Sequence, residues 1–461
     1  MTESDYITAF NLMLRKSVKA NAKKDNITLL YDEFFQPYFD AFVRVANQQL
    51  LRVTYIFVPD SYQQTLQNNR RFYHLDEIEL PKGINAVLHA SDIVLNFLTG
   101  SSGYSKVRGA VITAIKDNGA KVVHAPHFDD SVGNTFLATA LERVQQDCEL
   151  MAWALGNSST ASILTTGPNN HANELVIRLK GWDNDPFISS GVIASNSWGN
   201  LLPGEAFCCP DAADVGGTIC INGSVPGHAF RKDEFLSITF KKGRITEWSA
   251  TPNSPIHTYF KGLQDNAVKM KDKAWKLFAE LGIGLNPAIR ALTGNPHFDE
   301  KMAGTLHIAI GDNVSFGHRN QSHIHEDLVV LGPTLLLDGK TIISKGKPDL
   351  QAIRNWRKQA LPSGTPIADE GRVIEFRQAK IHFGNNSVKR MLNAGNRIGY
   401  INIFSPLQSK KIAELNKHIQ LDKLDEIRYS ELARKSAQHM DKEALDHMLE
   451  TFFHYKMVNI R

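Results

Sequence analysis

Between residues 26 and 127 apolar runs of strand length alternate with helical patterns, and that alternation narrows the possible folds more than any other feature. NITLLYDE (26–33) reads as a buried strand with an acidic end, residues 34–49 as a helix and RVTYIFVP (52–59) as the next strand, a β-α-β unit. ASDIVLNFLTG (90–100) and AKVVHAPH (120–127) extend the series, with SKVRGAVITAIKDNG (105–119) between them as a helix closed by glycine. Strands built this way predict a parallel sheet covered by helices on both faces. TGSSG, at the end of one strand, matches neither GxGxxG nor the P-loop pattern, so it reads as a plain loop and no nucleotide site is expected.

After a helical stretch over 132–155 the pattern changes to short strands with glycine-bearing turns, among them ELVIRLKGW, GTICINGSVPG and FLSITFKKGRITEWSA. That predicts a β-rich unit. Residues 262–281 then read as one long helix ending at Gly282, with Glu280 in its last turn, where a carboxylate opposes the helix dipole unless a cation offsets it. At 461 residues the chain has room for several domains of roughly 150 residues each. The expected architecture is mixed, α/β plus α+β. A parallel-sheet N-terminal domain covers 1–155, a β-rich metal-binding domain 156–347 and a small helical, winged-helix-like C-terminal domain 348–461. The last rests on helical stretches at 404–418, 428–438 and 441–454, with Asp441 as an N-cap, before a closing strand MVNIR.

Composition removes several functional classes. Lys and Arg number 52 against 48 Asp and Glu, and the formal charge of +4 gives no general basic surface for nucleic acid or membrane. The winged-helix-like segment is itself neutral, with five Lys/Arg and five Asp/Glu over 430–461, so it is expected to contact protein rather than nucleic acid. No stretch approaches the ~18 apolar residues that cross a bilayer, and the N-terminus lacks the apolar run of a signal peptide. Four cysteines without a CxxC form no disulfide framework, so the expected location is the cytoplasm. The vicinal Cys208 and Cys209 read as small buried strand residues.

Potential chemistry concentrates in residues 277–327, which hold Glu280, His307, His325 and Asp327. LHIAIG alternates as a strand carrying His307, and in HIHED an extended backbone puts His323, His325 and Asp327 on one face. Two such strands can present histidine and carboxylate to one ion. Spacing alone suits a satisfied strand histidine as well as a metal ligand. Glu205, between a Pro-Gly pair and an apolar run, adds a carboxylate from earlier in the chain.

The ordered pieces LLPGEAFCCP with GTICINGSVPG, AELGIGLNP, FDEKMAGTLHIAIG and NQSHIHEDLVV resemble the thermophilic metalloaminopeptidases of the aminopeptidase T and aminopeptidase S type. The resemblance spans residues 20–347 and is most specific over 201–331. It implies a homodimer whose β-rich domain binds two divalent ions (zinc, cobalt or manganese) through Glu205, Glu280, His307, His325 and Asp327. The implied reaction is hydrolysis of a peptide bond by a metal-activated water, with Glu205 and Glu280 as the catalytic carboxylates and Glu280 bridging the ions. The family places a tyrosine seven residues after the histidine of LHIAIG, where this chain has Val314. His318 and His323 are the accessory donors nearby.

Two other readings stay open. A more distant resemblance reaches the mononuclear iron dioxygenases that open dihydroxypyridine rings. It implies an iron(II) site in which His307, His325 and Asp327 form a two-histidine, one-carboxylate triad acting on a small molecule or peptide. The third reading is a metal-binding partner protein in a peptide-modifying pathway, with residues 348–461 as its protein-contact module.

Overall fold

The computed structural model describes residues 1–59, 82–99, 111, 119–179, 186–193, 197–313, 316 and 320–360. Residues 361–461 of the winged-helix-like domain expected over 348–461, most of the helix expected at 105–119, Val314 and His318 lie outside these residues. Within them the fold is mixed α/β, one parallel sheet and two antiparallel sheets.

The parallel sheet has five strands in the order Arg52–Phe57, Asn26–Tyr31, Ile93–Asn96, Lys121–His124 and Ser197–Asn200, each parallel to its neighbour. The IVLN strand, apolar up to Asn96, lies in the middle and is buried along its length, as a sheet covered on both faces requires. The fifth strand arrives from beyond residue 155, so the antiparallel part of the chain is threaded into this sheet. Helices Glu3–Leu12, Phe39–Gln48 and Asp130–Ala138 cover one face through a core that includes Phe10, Phe35, Phe42, Phe97, Phe128 and Phe136. The helical pattern over 132–155 resolves into two helices, Asp130–Ala138 and Leu141–Gly156, the first capped by the Asp129 side chain on the Val132 amide.

The two antiparallel sheets enclose a second core. One has eight strands in the order Arg244–Ala250, Leu236–Lys241, Val215–Ile221, Ala172–Arg178, Thr160–Thr166, Thr334–Leu337, Lys340–Ser344 and Lys347–Pro348. The other has seven: His228–Ala229, Ser224–Val225, His325–Val330, Leu306–Gly311, Phe278–Gly284, Glu205–Cys208 and Phe187–Ser189. Ile163, Leu175, Ile219 and Ile238 of the first sheet share a core with Cys208, Leu281, Ile283, Ile308, Ile310 and Leu328 of the second. Because strand side chains alternate, the residues between these on the seven-stranded sheet face away from that core. They include every ligand candidate on its strands.

Helix Leu350–Ala360 docks on helix Leu141–Gly156. Trp356 meets Trp153 edge-on with centroids 5.0 Å apart, and Arg354 reaches Asp147 at 3.2 Å.

The long helix expected over 262–281 is replaced by a helix and a strand. The helix is Pro255–Lys269, begun by the Ser254 hydroxyl accepting from the His257 amide and ended where Lys271 takes a φ of 56°. Phe278–Gly284 is a strand buried at every position. Glu280 is therefore not at a helix terminus, and the dipole argument for a cation beside it falls away. No helix among the described residues is long and apolar enough to cross a membrane.

Candidate metal centre

Four adjacent strands carry the ligand candidates on one face. The register pairs Glu205 with Gly284, Gly282 with His307, Glu280 with Ala309, Ala309 with Asp327 and Gly311 with His325. Each of the five candidates thus has a glycine or alanine across from it. Directly opposed side chains lie about 5 Å apart at Cβ, so small partners leave the volume that long polar side chains need to converge. A register irregularity between Phe278 and Glu280 adds a local twist beside the site.

Glu205 enters this face from a tight corner. Gly204, at φ 124°, approaches Asn286 so closely that a Cβ would lie 2.4 Å from the Asn286 Cβ. The fully buried Asn286 amide donates to the Pro203 carbonyl at 2.8 Å and to the Thr139 hydroxyl at 3.1 Å, tying this corner to the end of helix Asp130–Ala138. Glu205 is accordingly buried at the start of a strand rather than solvated in a loop.

The convergent side chains form two groups. Glu280, His325 and Asp327 make the outer one, and Glu205, Glu300 and His307 the inner one; within each, one donor atom per residue lies within 4.8 Å of the others. All five residues expected as ligands fall in these two groups, together with Glu300, which the sequence pattern does not single out. Both Glu300 and Lys301 come from the segment after the short helix Pro296–Asp299. Asp299 anchors that segment by accepting from the Thr293 and Gly294 amides at 2.7 and 2.8 Å. His323 lies before the strand, its amide bound to Asp272, and belongs to neither group.

In the outer group His325 is oriented by its own backbone surroundings. Nδ1 donates to the Asp312 carbonyl at 2.6 Å, which turns Nε2 toward Glu280 Oε2 at 3.5 Å and Asp327 Oδ1 at 3.4 Å. Those two carboxylate oxygens are buried and have no hydrogen-bond partner among the described residues. Phe316 packs against the imidazole, with ring centroids 5.6 Å apart. The His325 side chain is 24% exposed, whereas those of His307 and Lys301 are fully buried, so the site opens on the His325 side.

The inner group is held by direct polar contacts. His307 Nε2 lies 3.0 Å from Glu205 Oε1 and 3.2 Å from Glu280 Oε1, linking the two groups. Lys301 Nζ lies 3.2 Å from Glu205 Oε2 and also contacts Glu300 Oε1. Burial opposes the charge on His307, but the hydrogen bonds its ring donates to Glu205 and Glu280 outweigh it and hold the ring well above the ordinary histidine range. Burial likewise opposes charge on His325, and the Asp327 carboxylate overcomes it, raising the ring to about 10. Asp327 is lowered, its burial outweighed by His325, and Glu205 is lowered by Lys301 and His307 against the same burial. Burial dominates for the other two carboxyls: Glu280 is raised, and Glu300 is raised to about 8.

The donor set fits a divalent cation. Among the described residues four carboxylates and two imidazoles converge with a single ammonium, and a cation beside Glu280 and Asp327 would satisfy the two oxygens that make no hydrogen bond.

No family model matches the sequence, and no curated protein matches it. The solved structures with this fold include two of low sequence identity. One is 2,5-dihydroxypyridine dioxygenase from Pseudomonas putida KT2440, with a TM-score of 0.59 and 14% identity over 76% of this chain and 98% of that one. The other is wild-type AmpT from Thermus thermophilus, with a TM-score of 0.52 and 13% identity over 75% of this chain and 99% of that one. At these identities the likeness shows the fold alone.

Proposed function

We propose that this chain is a metal-dependent hydrolase, aminopeptidase-like, that cleaves a peptide bond with an activated water. The observation that carries the reading is the pair of buried oxygens without a hydrogen bond, Glu280 Oε2 and Asp327 Oδ1, facing the Nε2 of an already oriented His325 at 3.5 and 3.4 Å. Glu280, His325 and Asp327 would hold the ion. A divalent ion there supplies Lewis acidity to a carbonyl and makes a bound water acidic near neutral pH.

The chain's own groups handle the protons. Glu280, with Oε2 toward the outer position and Oε1 3.2 Å from His307 Nε2, is the carboxylate that would accept the proton of an attacking water and pass it to the leaving amine. His307 connects it to Glu205, which Lys301 and His307 keep anionic. The open His325 side is where a substrate enters.

The oxygenase reading draws support from the dioxygenase among the structures with this fold. The triad it needs, His307 with His325 and Asp327, is divided here between the inner and outer groups, and the outer group has one imidazole and two carboxylates. That division favours hydrolysis. The test incubates full-length protein with zinc, cobalt or manganese and short peptides bearing free N-termini. Release of the first residue that stops on chelation is the expected result. Oxygen uptake with iron(II) and a dihydroxylated ring, without peptide cleavage, would replace this reading with the oxygenase.

A further inference from the structure

The inner group has the donors for an ion but already contains a positive charge. Lys301 Nζ contacts the carboxylates of both Glu205 and Glu300, two of the three residues that form that group. Its side chain is fully buried. A lysine ammonium is a compact point charge with three donors, so it can neutralise two facing carboxylates much as an ion would.

The backbone fixes it there. The Lys301 carbonyl accepts from the Asn286 amide at 2.8 Å, and its amide donates to the Phe298 carbonyl at 3.3 Å. Glu300, its sequence neighbour, reaches the same group. An ion entering the inner position would have to drive a buried ammonium away from both of its partners, leaving a charge without compensation in the interior. The outer group places no such demand: its two oxygens without a hydrogen bond are free of lysine, and its histidine is partly open to solvent.

We propose that Lys301 fills the inner cation position, so that the chain binds one divalent ion, at Glu280, His325 and Asp327, rather than two. This rests on the metal-dependent reading above and revises the two ions that the sequence resemblance implies. Glu205, Glu300 and His307 then serve as a polar wall behind the outer ion, with Lys301 as its permanent cation.

The experiment is a titration of metal-free, full-length protein with Co²⁺, followed by visible absorbance, and metal analysis after gel filtration. The unaltered chain should reach its end point at one equivalent. Lys301→Ala, which empties the inner position, should take up a second. Glu300→Gln should keep the single ion, whereas His325→Ala should lose it.

Two equivalents in the unaltered chain would overturn the proposal while leaving the metal-dependent reading intact. So would a single ion lost in Glu300→Gln and kept in His325→Ala, or a folded Lys301→Ala that still takes one. If Lys301→Ala does not fold, the end point of the unaltered chain and the Glu300→Gln result decide the matter. No uptake by the unaltered chain would remove the metal-dependent reading and this inference with it.

Discussion

Gly282 lies directly across from His307 in neighbouring antiparallel strands, and the imidazole occupies the place where a side chain on residue 282 would be. A Cβ there would stand 2.0 Å from His307 Cε1 and 2.1 Å from Nε2. Mid-strand glycine usually weakens a sheet, and here it permits a buried ring to lie over the backbone. Gly282→Ala should therefore destabilise the fold by about 1–3 kcal/mol, the usual range for overpacking a close-packed interior. Urea unfolding would show the midpoint moving to lower concentration. An unchanged midpoint would mean that His307 is not held where the register places it.

His325→Ala should lower affinity for Zn²⁺ by on the order of 100-fold or more, because losing even a residue that merely orients a ligand commonly costs 10–100-fold. The side chain is partly exposed, so the fold should survive the change. Competition against a chromophoric chelator measures the affinity, and circular dichroism checks the fold. Unaltered affinity in a folded variant would place the ion elsewhere.

Much of the parallel sheet is legible in the sequence because NITLLY, RVTYIF, IVLN and KVVH are apolar runs of strand length set between helices or turns. The ligand candidates are legible through their types and through the period-two placement of His325 and Asp327. Phe278–Gly284 misleads because a strand buried on both faces has no polar alternation, and Leu, Ala, Glu and Lys around it are good helix formers. Its readable signal is Gly282 and Gly284, spaced by two and each opposite a ligand candidate. Glu300 and Lys301 are hidden for another reason. In FDEKM they look like an exposed charged turn, yet both are buried, with Lys301 against Glu205 from a distant part of the sequence.

Asn286 holds the corner that presents Glu205. Asn286→Ala removes the donor to the Pro203 carbonyl and the acceptor of the Ala288 amide, both inside the structure. Stranding such groups costs about 1–3 kcal/mol. The expected outcome is a loss of that size in chemical denaturation together with weaker peptide hydrolysis, since Glu205 follows Pro203 by two residues. A variant as stable as the unaltered chain would show that the corner is held by other contacts.

The four cysteines should be silent toward thiol reagents in the folded protein, for all are buried and none is disulfide-bonded. Burial raises Cys148 and Cys208 strongly and pushes Cys220 up to about 11 from an ordinary 9.0. Since the thiolate is the reactive form, neither access nor ionisation favours attack near pH 8. A chromogenic disulfide should titrate no thiol in native protein and all four after guanidinium unfolding. The raised values also have a sign for stability. A thiol that keeps its proton more tightly when folded contributes stability below the unfolded pKa and loses it as pH rises toward the folded one, so for Cys220 the decline falls between 9.0 and about 11. Urea unfolding across that window in unaltered protein and in Cys220→Ala should show the variant losing less stability with rising pH. Equal pH slopes would show that the Cys220 thiol is not raised, and rapid labelling of native protein would contradict its burial.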